Sequence, residues 1–299
     1  MNHYDMTVKI ERGDGFIAAL DQSGGSTPKA LKGYGIEEGA WDNDEEMFGL
    51  IHDMRTRIIG APSFGSGKVI GAILFERTMD GTVDGKPVPQ ALIDKGIVPF
   101  IKIDKGLEPE SNGVQMMKPM PELEALLTRA KGLGVYGTKE RSVINLANPD
   151  GIAAIVEQQF NLARQVLAHG LVPIVEPEVN IKSPERDVAD RLLLDAILLE
   201  LESIPAGQRV MLKLSIPAEA NLFQPLVEHP KVLRLVALSG GFSRAEACSA
   251  LAKNPGMIAS FSRALLSDLR HDQSDEEFDW TLGTAIDEIY EASTEKVAV

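Results

Sequence analysis

Lys139 and Arg141 stand two residues apart in GTKERS, Glu176 and Glu178 stand two apart in VEPEV, and Lys213 lies in the apolar phrase MLKLSI. On an extended strand each such pair projects to one side, so Glu140 and Pro177 face the other way. A desolvated lysine gives up its proton more readily and becomes an amine able to form a Schiff base with a carbonyl. Lys105 follows Asp104 and Lys139 precedes Glu140, whereas Lys213 has no charged neighbour in sequence and is the leading nucleophile candidate. Glu176 and Glu178 are of the type that shuttles the protons which carbinolamine formation and dehydration require. The rival reading pairs Lys213 with Glu176 as a structural salt bridge, and the sequence leaves the two open.

A second chemistry is anion binding. Ser239-Gly240-Gly241-Phe242-Ser243 offers a glycine turn whose N–H groups can approach an anion ahead of a helix start, and Arg263 adds a planar fork suited to phosphate oxygens. Ser23-Gly24-Gly25-Ser26, just after Asp21, reads either as a second anion site near Lys105 or as an ordinary flexible loop. Two anion sites on opposite sides of one mouth favour a bisphosphate over a monophosphate.

These groups fall at the ends of eight β-like runs: Gly15–Gln22, Val69–Glu76, Val98–Lys105, Val135–Asn145, Val172–Val179, Arg209–Ile216, Val232–Gly241 and Met257–Leu265. The runs are short and nearly continuous in Val, Ile and Leu, as expected of parallel strands buried on both faces. Between them lie helical stripes such as Met47, Leu50, Ile51, Met54 and Ile58. Asn148-Pro149 and Ser183-Pro184 read as N-cap and first helical residue, and Ser243 with Glu246 and Ser274 with Glu277 have capping-box spacing. Val88–Lys95 and Gln224–Glu228 leave room only for short helices. Eight β/α units in this length predict an α/β fold, a (β/α)8 TIM barrel, in which catalytic groups gather at the C-terminal strand ends. A doubly wound sheet is the rival, but no GxxxxGK[ST] phosphate loop occurs. The expected organisation is a single domain over residues 1–299, with 1–14 an amphipathic N-terminal extension closing one end and 266–299 a C-terminal helix and tail.

Composition narrows the classes. With 30 basic against 44 acidic residues, the net charge of −14 argues against general nucleic-acid binding. The single Cys248 excludes an intramolecular disulfide framework, and it reads as a small packed residue. Without an apolar run of membrane-spanning length or a leader-like N-terminus, the expectation is a soluble, cytoplasmic protein with no membrane partner. None of the five histidines accompanies the charged strand ends, so neither a metal nor another cofactor is expected. The acidic excess falls in segments such as Asp44-Glu45-Glu46 and Asp275-Glu276-Glu277, leaving the mouth locally basic.

The phrases ALDQSGGSTPKAL, FERTMDG, KGIVPFIKIDKG, VYGTKERSVIN, VPIVEPEV, MLKLSIP, LSGGFSRAEA and SFSRAL, in this order, resemble class I fructose-1,6-bisphosphate aldolase in its compact bacterial form. The resemblance implies Lys213 as the Schiff-base lysine, Glu176 as the proton carrier in dehydration with Glu178 as its partner, and Asp21 as the group handling the C4 hydroxyl proton. It implies Lys105, Lys139 and Arg141 as basic lining, Lys139 within the catalytic set. Ser239, Gly240, Gly241 and Arg263 would hold the C1-phosphate, with Ser23 and Ser26 facing the C6-phosphate. Cleavage of fructose 1,6-bisphosphate would give dihydroxyacetone phosphate and glyceraldehyde 3-phosphate, a step of glycolysis and gluconeogenesis. Three departures stand out: Ser262 where the family often has glycine, Gln22 where an acid is common, and an end, ASTEKVAV, without the C-terminal tyrosine of longer animal-type members. A homo-oligomer is compatible with the sequence, since family members differ in oligomeric state. Two alternatives remain: another lysine-dependent lyase or transaldolase on a different phosphosugar, and a catalytically silent barrel that binds phosphosugars or a protein partner.

Overall fold

The computed structural model describes residues 1–23 and 25–298. Eight parallel strands run in the order of the chain: β1 (Phe16–Leu20), β2 (Val69–Leu74), β3 (Val98–Lys102), β4 (Gly137–Ile144), β5 (Val172–Val179), β6 (Val210–Ser215), β7 (Val232–Leu238) and β8 (Met257–Ala259). Each pairs in parallel with the next. Between β8 and β1 the link is the bond from Ala19 N to Phe261 O at 3.1 Å, so the sheet curls into a nearly closed (β/α)8 barrel. Apart from β5, whose bounds coincide with its run, the observed strands are shorter than the β-like runs. Asp21, Asp104, Lys105 and the Ser239-Gly240-Gly241 turn leave the ladders and enter the loops of the mouth, while Glu76 and Arg263 each open a short helix.

Two apolar shells hold the barrel. Inside, Ile17, Ile70, Phe100, Tyr136, Ile174 and Met211 fill its lower half. Phe100 lies across this space and reaches the start of β4, where a Cβ on Gly137 would stand 2.9 Å from its ring. Glycine there is a packing requirement. Outside, the helices bury their predicted stripes, with Met47, Ile51, Met54 and Ile58 all in the outer core. The helices are α1 (His3–Arg12), α2 (Thr27–Tyr34), α3 (Asp44–Gly60), α4 (Glu76–Met79), α5 (Val88–Asp94), α6 (Leu123–Gly132), α7 (Pro149–Ala168), α8 (Arg186–Leu201), α9 (Gln224–Val227), α10 (Arg244–Ala252), α11 (Arg263–Leu266) and α12 (Asp275–Thr294). The N-terminal extension is α1. Its Met6 and Ile10 join the inner shell and Thr7 accepts a bond from the Tyr136 hydroxyl at 3.0 Å, so the helix plugs the end opposite the mouth.

Local signals at the helix starts mostly hold. Asn148 caps α7 through Gly151 N with Pro149 in the first turn, and capping boxes open α10 and α12. Ser183 differs: α8 begins later, at Arg186, and the Ser183-Pro184 pair sits in a turn fastened by Ser183 N to Asn180 O at 2.9 Å. The long β3–α6 connection folds back so that Val114–Gln115 pairs antiparallel with Ile144 and Val143 at the end of β4. Nothing in the local pattern announces that pairing. No helix among the described residues is long and apolar enough to cross a membrane.

Candidate active site

Alternation along the strands decides which charges enter the mouth. Asp21 at the end of β1, Lys139 on β4, Glu176 on β5 and Lys213 on β6 point inward, with side chains at most 9% exposed. Lys139 Nζ lies 2.9 Å from Oδ2 of Asp21 and 2.6 Å from Oε2 of Glu176. Lys213 Nζ lies 3.2 Å from Oε1 of Glu176. One carboxylate thus bridges two ammonium groups. The 2.6 Å contact between Lys139 and Oε2 of Glu176 is a charge-assisted one. Glu176 is held from behind: its N–H donates to Oε1 of Gln159 at 2.8 Å, and the Gln159 amide donates to the Ser142 hydroxyl.

The charges shift one another. Burial alone would raise the Asp21 carboxyl, but Lys139 and Lys213 overcome it and hold Asp21 well below the usual carboxylate range. Burial would equally strip Lys139 of its proton. Asp21, Glu176 and Asp104 outweigh that, so Lys139 stays a firm cation. Glu140, one residue on, faces away from the mouth as its alternate position demands. It is fully buried, Oε1 has no partner, and burial aided by the Asp104 carboxylate drives its proton affinity well above the usual range.

A third of the ring centres on Asp104. Oδ1 accepts from Lys102 Nζ at 2.5 Å and from Gly106 N at 3.3 Å, while Oδ2 accepts from Arg141 N at 3.2 Å. Arg141 then reaches Glu178 at 3.0 Å, and opposing carboxylates outweigh burial to raise its proton affinity further. Lys105 is placed differently from the other basic residues. It sits on the rim in a 2.7 Å ion pair with Glu76, which also pairs with Arg129, and it does not line the cavity. Lys102 takes the inward place. The signal was in the sequence: Phe100, Lys102 and Asp104 share one parity, and Lys105 breaks it. Arg77, next to Glu76, stacks over Phe48 at 4.3 Å.

At the β7–β8 corner, Gly240 and Gly241 both have positive φ, +59° and +119°. An ideal Cβ on Gly241 would lie 3.6 Å from Nη2 of Arg263, so the guanidinium rests against the bare glycine turn. Ser239 is buried beside it. At the neighbouring end of β1, beside this corner rather than opposite it, Ser23 N donates to the Ser26 hydroxyl at 3.2 Å, which donates in turn to Ser23 O at 3.1 Å. Gly24 of this motif lies outside the described residues. A cavity of about 570 Å³ joins both corners to Asp21, Lys139, Glu176, Glu178 and Lys213. Lys29 of α2 also lines it, a residue the strand-end reading passed over because it lies on a helix. Cys248 lies half-buried on α10, its thiol pushed up to about 11 by burial.

The arrangement offers a buried amine, a carboxylate within proton-transfer distance of it, an ionised aspartate, and cations at two corners of one cavity. The fold agrees with solved relatives. A fructose-bisphosphate aldolase from Plasmodium falciparum, solved with TRAP and a small-molecule inhibitor, superposes with a TM-score of 0.77 at 20% identity, over 99% of this chain and 96% of that one. A protein from Corynebacterium glutamicum superposes with a TM-score of 0.56 at 13% identity, over 97% and 92% of the two chains. At these identities the likeness shows the fold. The sequence model of the fructose-bisphosphate aldolase class-I family matches residues 6–254, most of the chain. This chain belongs to the class-I fructose-bisphosphate aldolase family.

Proposed function

We propose that this chain is a Schiff-base aldolase that reversibly cleaves fructose 1,6-bisphosphate into dihydroxyacetone phosphate and glyceraldehyde 3-phosphate. The observation that carries the reading is the buried Lys213 amine, 3.2 Å from a carboxylate that a second, permanently charged lysine also holds. In this reading Lys213 passes a proton to Glu176 and its free amine adds to the ketose C2 carbonyl. Glu176 returns a proton to the departing hydroxyl, and water leaves as the iminium forms. Ionised Asp21 then accepts the C4 hydroxyl proton while the C3–C4 bonding pair moves into the iminium. The aldehyde departs, leaving an enamine on Lys213. Protonation at C3 and addition of water release the ketone and restore the amine.

Lys139 keeps both carboxylates in place throughout and stabilises negative charge near C2 and C4. The Gly240-Gly241-Arg263 corner supports a phosphorylated substrate, and the Ser23–Ser26 turn lines the same cavity beside it. Borohydride reduction with dihydroxyacetone phosphate, followed by peptide mass mapping, tests the reading. A stable adduct on Lys213 is expected; ligand binding without an adduct on any lysine overturns it. Activity that survives EDTA is expected alongside, and activity lost and restored by a divalent metal would point to different chemistry.

A further inference from the structure

Gln22 and Ser262 touch each other where the ends of β1 and β8 meet. Nε2 of Gln22 donates to Oγ of Ser262 at 2.6 Å, although 240 residues separate them in the chain. The other end of the same amide faces Arg55 of α3, which is 1% exposed. Arg55 donates through Nη2 to Oε1 of Gln22 at 3.2 Å and to its main-chain oxygen at 2.6 Å, and through Nη1 to Oγ1 of Thr78 at 2.8 Å. Among the described residues its Nε has no partner, and no carboxylate lies within ion-pairing distance of it. Burial lowers its proton affinity to about 10, which still leaves it charged at neutral pH, and Asp21 opposes that fall. A buried guanidinium without a carboxylate is costly, and it is held here by a main-chain carbonyl, one side-chain amide and one hydroxyl.

We infer that Arg55, Gln22 and Ser262 form a directed hydrogen-bond relay that turns the Ser262 hydroxyl proton toward a phosphate group at the Gly240-Gly241-Arg263 corner, with Ser262 a phosphate ligand and Gln22 and Arg55 its positioning residues. The inference rests on the phosphate-ester reading of the site. Arginine only donates, so the Gln22 oxygen must face Arg55 and the NH2 group must face Ser262. Ser262 then acts as acceptor toward Gln22, and its own proton is directed elsewhere. That proton does not oppose the relay by capping α11, because the helix that Ser262 precedes has no side-chain cap. Ser262 lines the cavity beside Arg263. Each bond in such a chain polarises the next, and a cation at its head strengthens the final donor. A carboxylate at position 22 would take the serine proton and add negative charge at the mouth. A glycine at 262 would leave nothing to orient. Gln22 and Ser262 therefore work as one device.

The test is calorimetric titration of the full chain with inorganic phosphate, for wild type, Ser262→Ala, Gln22→Met and the double variant. Loss of one hydrogen bond to a charged group corresponds to roughly tenfold or more in affinity. Ser262→Ala is expected to weaken phosphate by about that factor, Gln22→Met by a substantial part of it, and the double variant by no more than Ser262→Ala alone. Trapping of unphosphorylated dihydroxyacetone on Lys213 is expected to be alike in all four, which a general structural loss would not allow. The relay is overturned if Ser262→Ala binds phosphate as wild type does, if the two losses multiply, or if wild type binds no phosphate. Trapping separates this inference from the aldolase reading. An adduct in wild type with phosphate affinity indifferent to Ser262 removes only the relay. The expected phosphate pattern without any adduct removes only the aldolase.

Discussion

Nζ of Lys213 lies 3.2 Å from Oε1 of Glu176, and the other oxygen of that carboxylate lies 2.6 Å from Nζ of Lys139. The sequence left open whether Lys213 is a nucleophile or half of a structural ion pair, and the geometry makes the two roles compatible. Lys139 is already charge-matched by Asp21, so Glu176 need not remain ionised for its sake. A proton passing from Lys213 to Glu176 neutralises both groups and leaves no buried charge without a partner.

Lys213→Met is expected to lower cleavage by roughly 10⁴-fold or more, because a removed nucleophile leaves only binding and electrostatics. Steady-state cleavage assays beside phosphate titration check it: phosphate affinity should stay near that of wild type. Comparable loss of both would mean that the variant has lost its site geometry.

Lys102→Met should reduce kcat/KM more than Lys105→Met does. Lys102 is buried and holds Asp104 at 2.5 Å in the cavity wall, whereas Lys105 is half-exposed in a rim ion pair. A charge-assisted contact in a dry site is worth about tenfold or more, and an exposed pair contributes little. Equal effects of the two variants would return Lys105 to the substrate's side of the mouth.

Glu140→Gln is expected to stabilise the protein increasingly as pH rises. The folded-state proton affinity of Glu140 is raised by burial and by Asp104, while the unfolded chain releases the same proton near pH ~4.3. Between those values unfolding releases a proton, so wild-type stability is full below the unfolded value and falls as pH climbs toward the folded one. The substitution exchanges a neutral acid for a neutral amide and removes that slope. Urea unfolding at pH 4, 6 and 8 reads it: the gap between variant and wild type should widen with pH, and a constant gap would show that Glu140 is ionised in the folded protein.

Gly240→Ala is expected to raise KM for phosphorylated substrate and to cost about 1–3 kcal/mol of stability. Its φ of +59° disfavours alanine, and the new Cβ would stand 2.6 Å from Cγ2 of Ile181. Thermal melts and substrate titration together check it. A melt unchanged from wild type would mean the turn relaxes freely.

Much of the architecture was legible because it is local. Apolar runs bounded by charge marked eight strands, helical stripes marked the layer around them, and spacing of two placed Lys139 with Arg141 and Glu176 with Glu178 on inward faces. Parity would also have placed Lys102 and Asp104 inward and Lys105 out. The sequence-level assignment of Lys105 followed the end of the apolar run instead, and β3 ends three residues earlier. Ser183-Pro184 carried the right signal for a helix start, but a turn at Asn180 uses it.

The sequence by itself determined the repeat, the strand order and the residue types at each strand end, since those depend on neighbours a few positions away. Only the tertiary structure decided the pairings: Glu176 between two lysines from β4 and β6, Asp21 joined to Lys139 across 118 positions, and Gln22 held between Arg55 and Ser262. Barrel curvature brings together strand ends that are remote in the chain, and the energy of a buried charge depends on which ends meet.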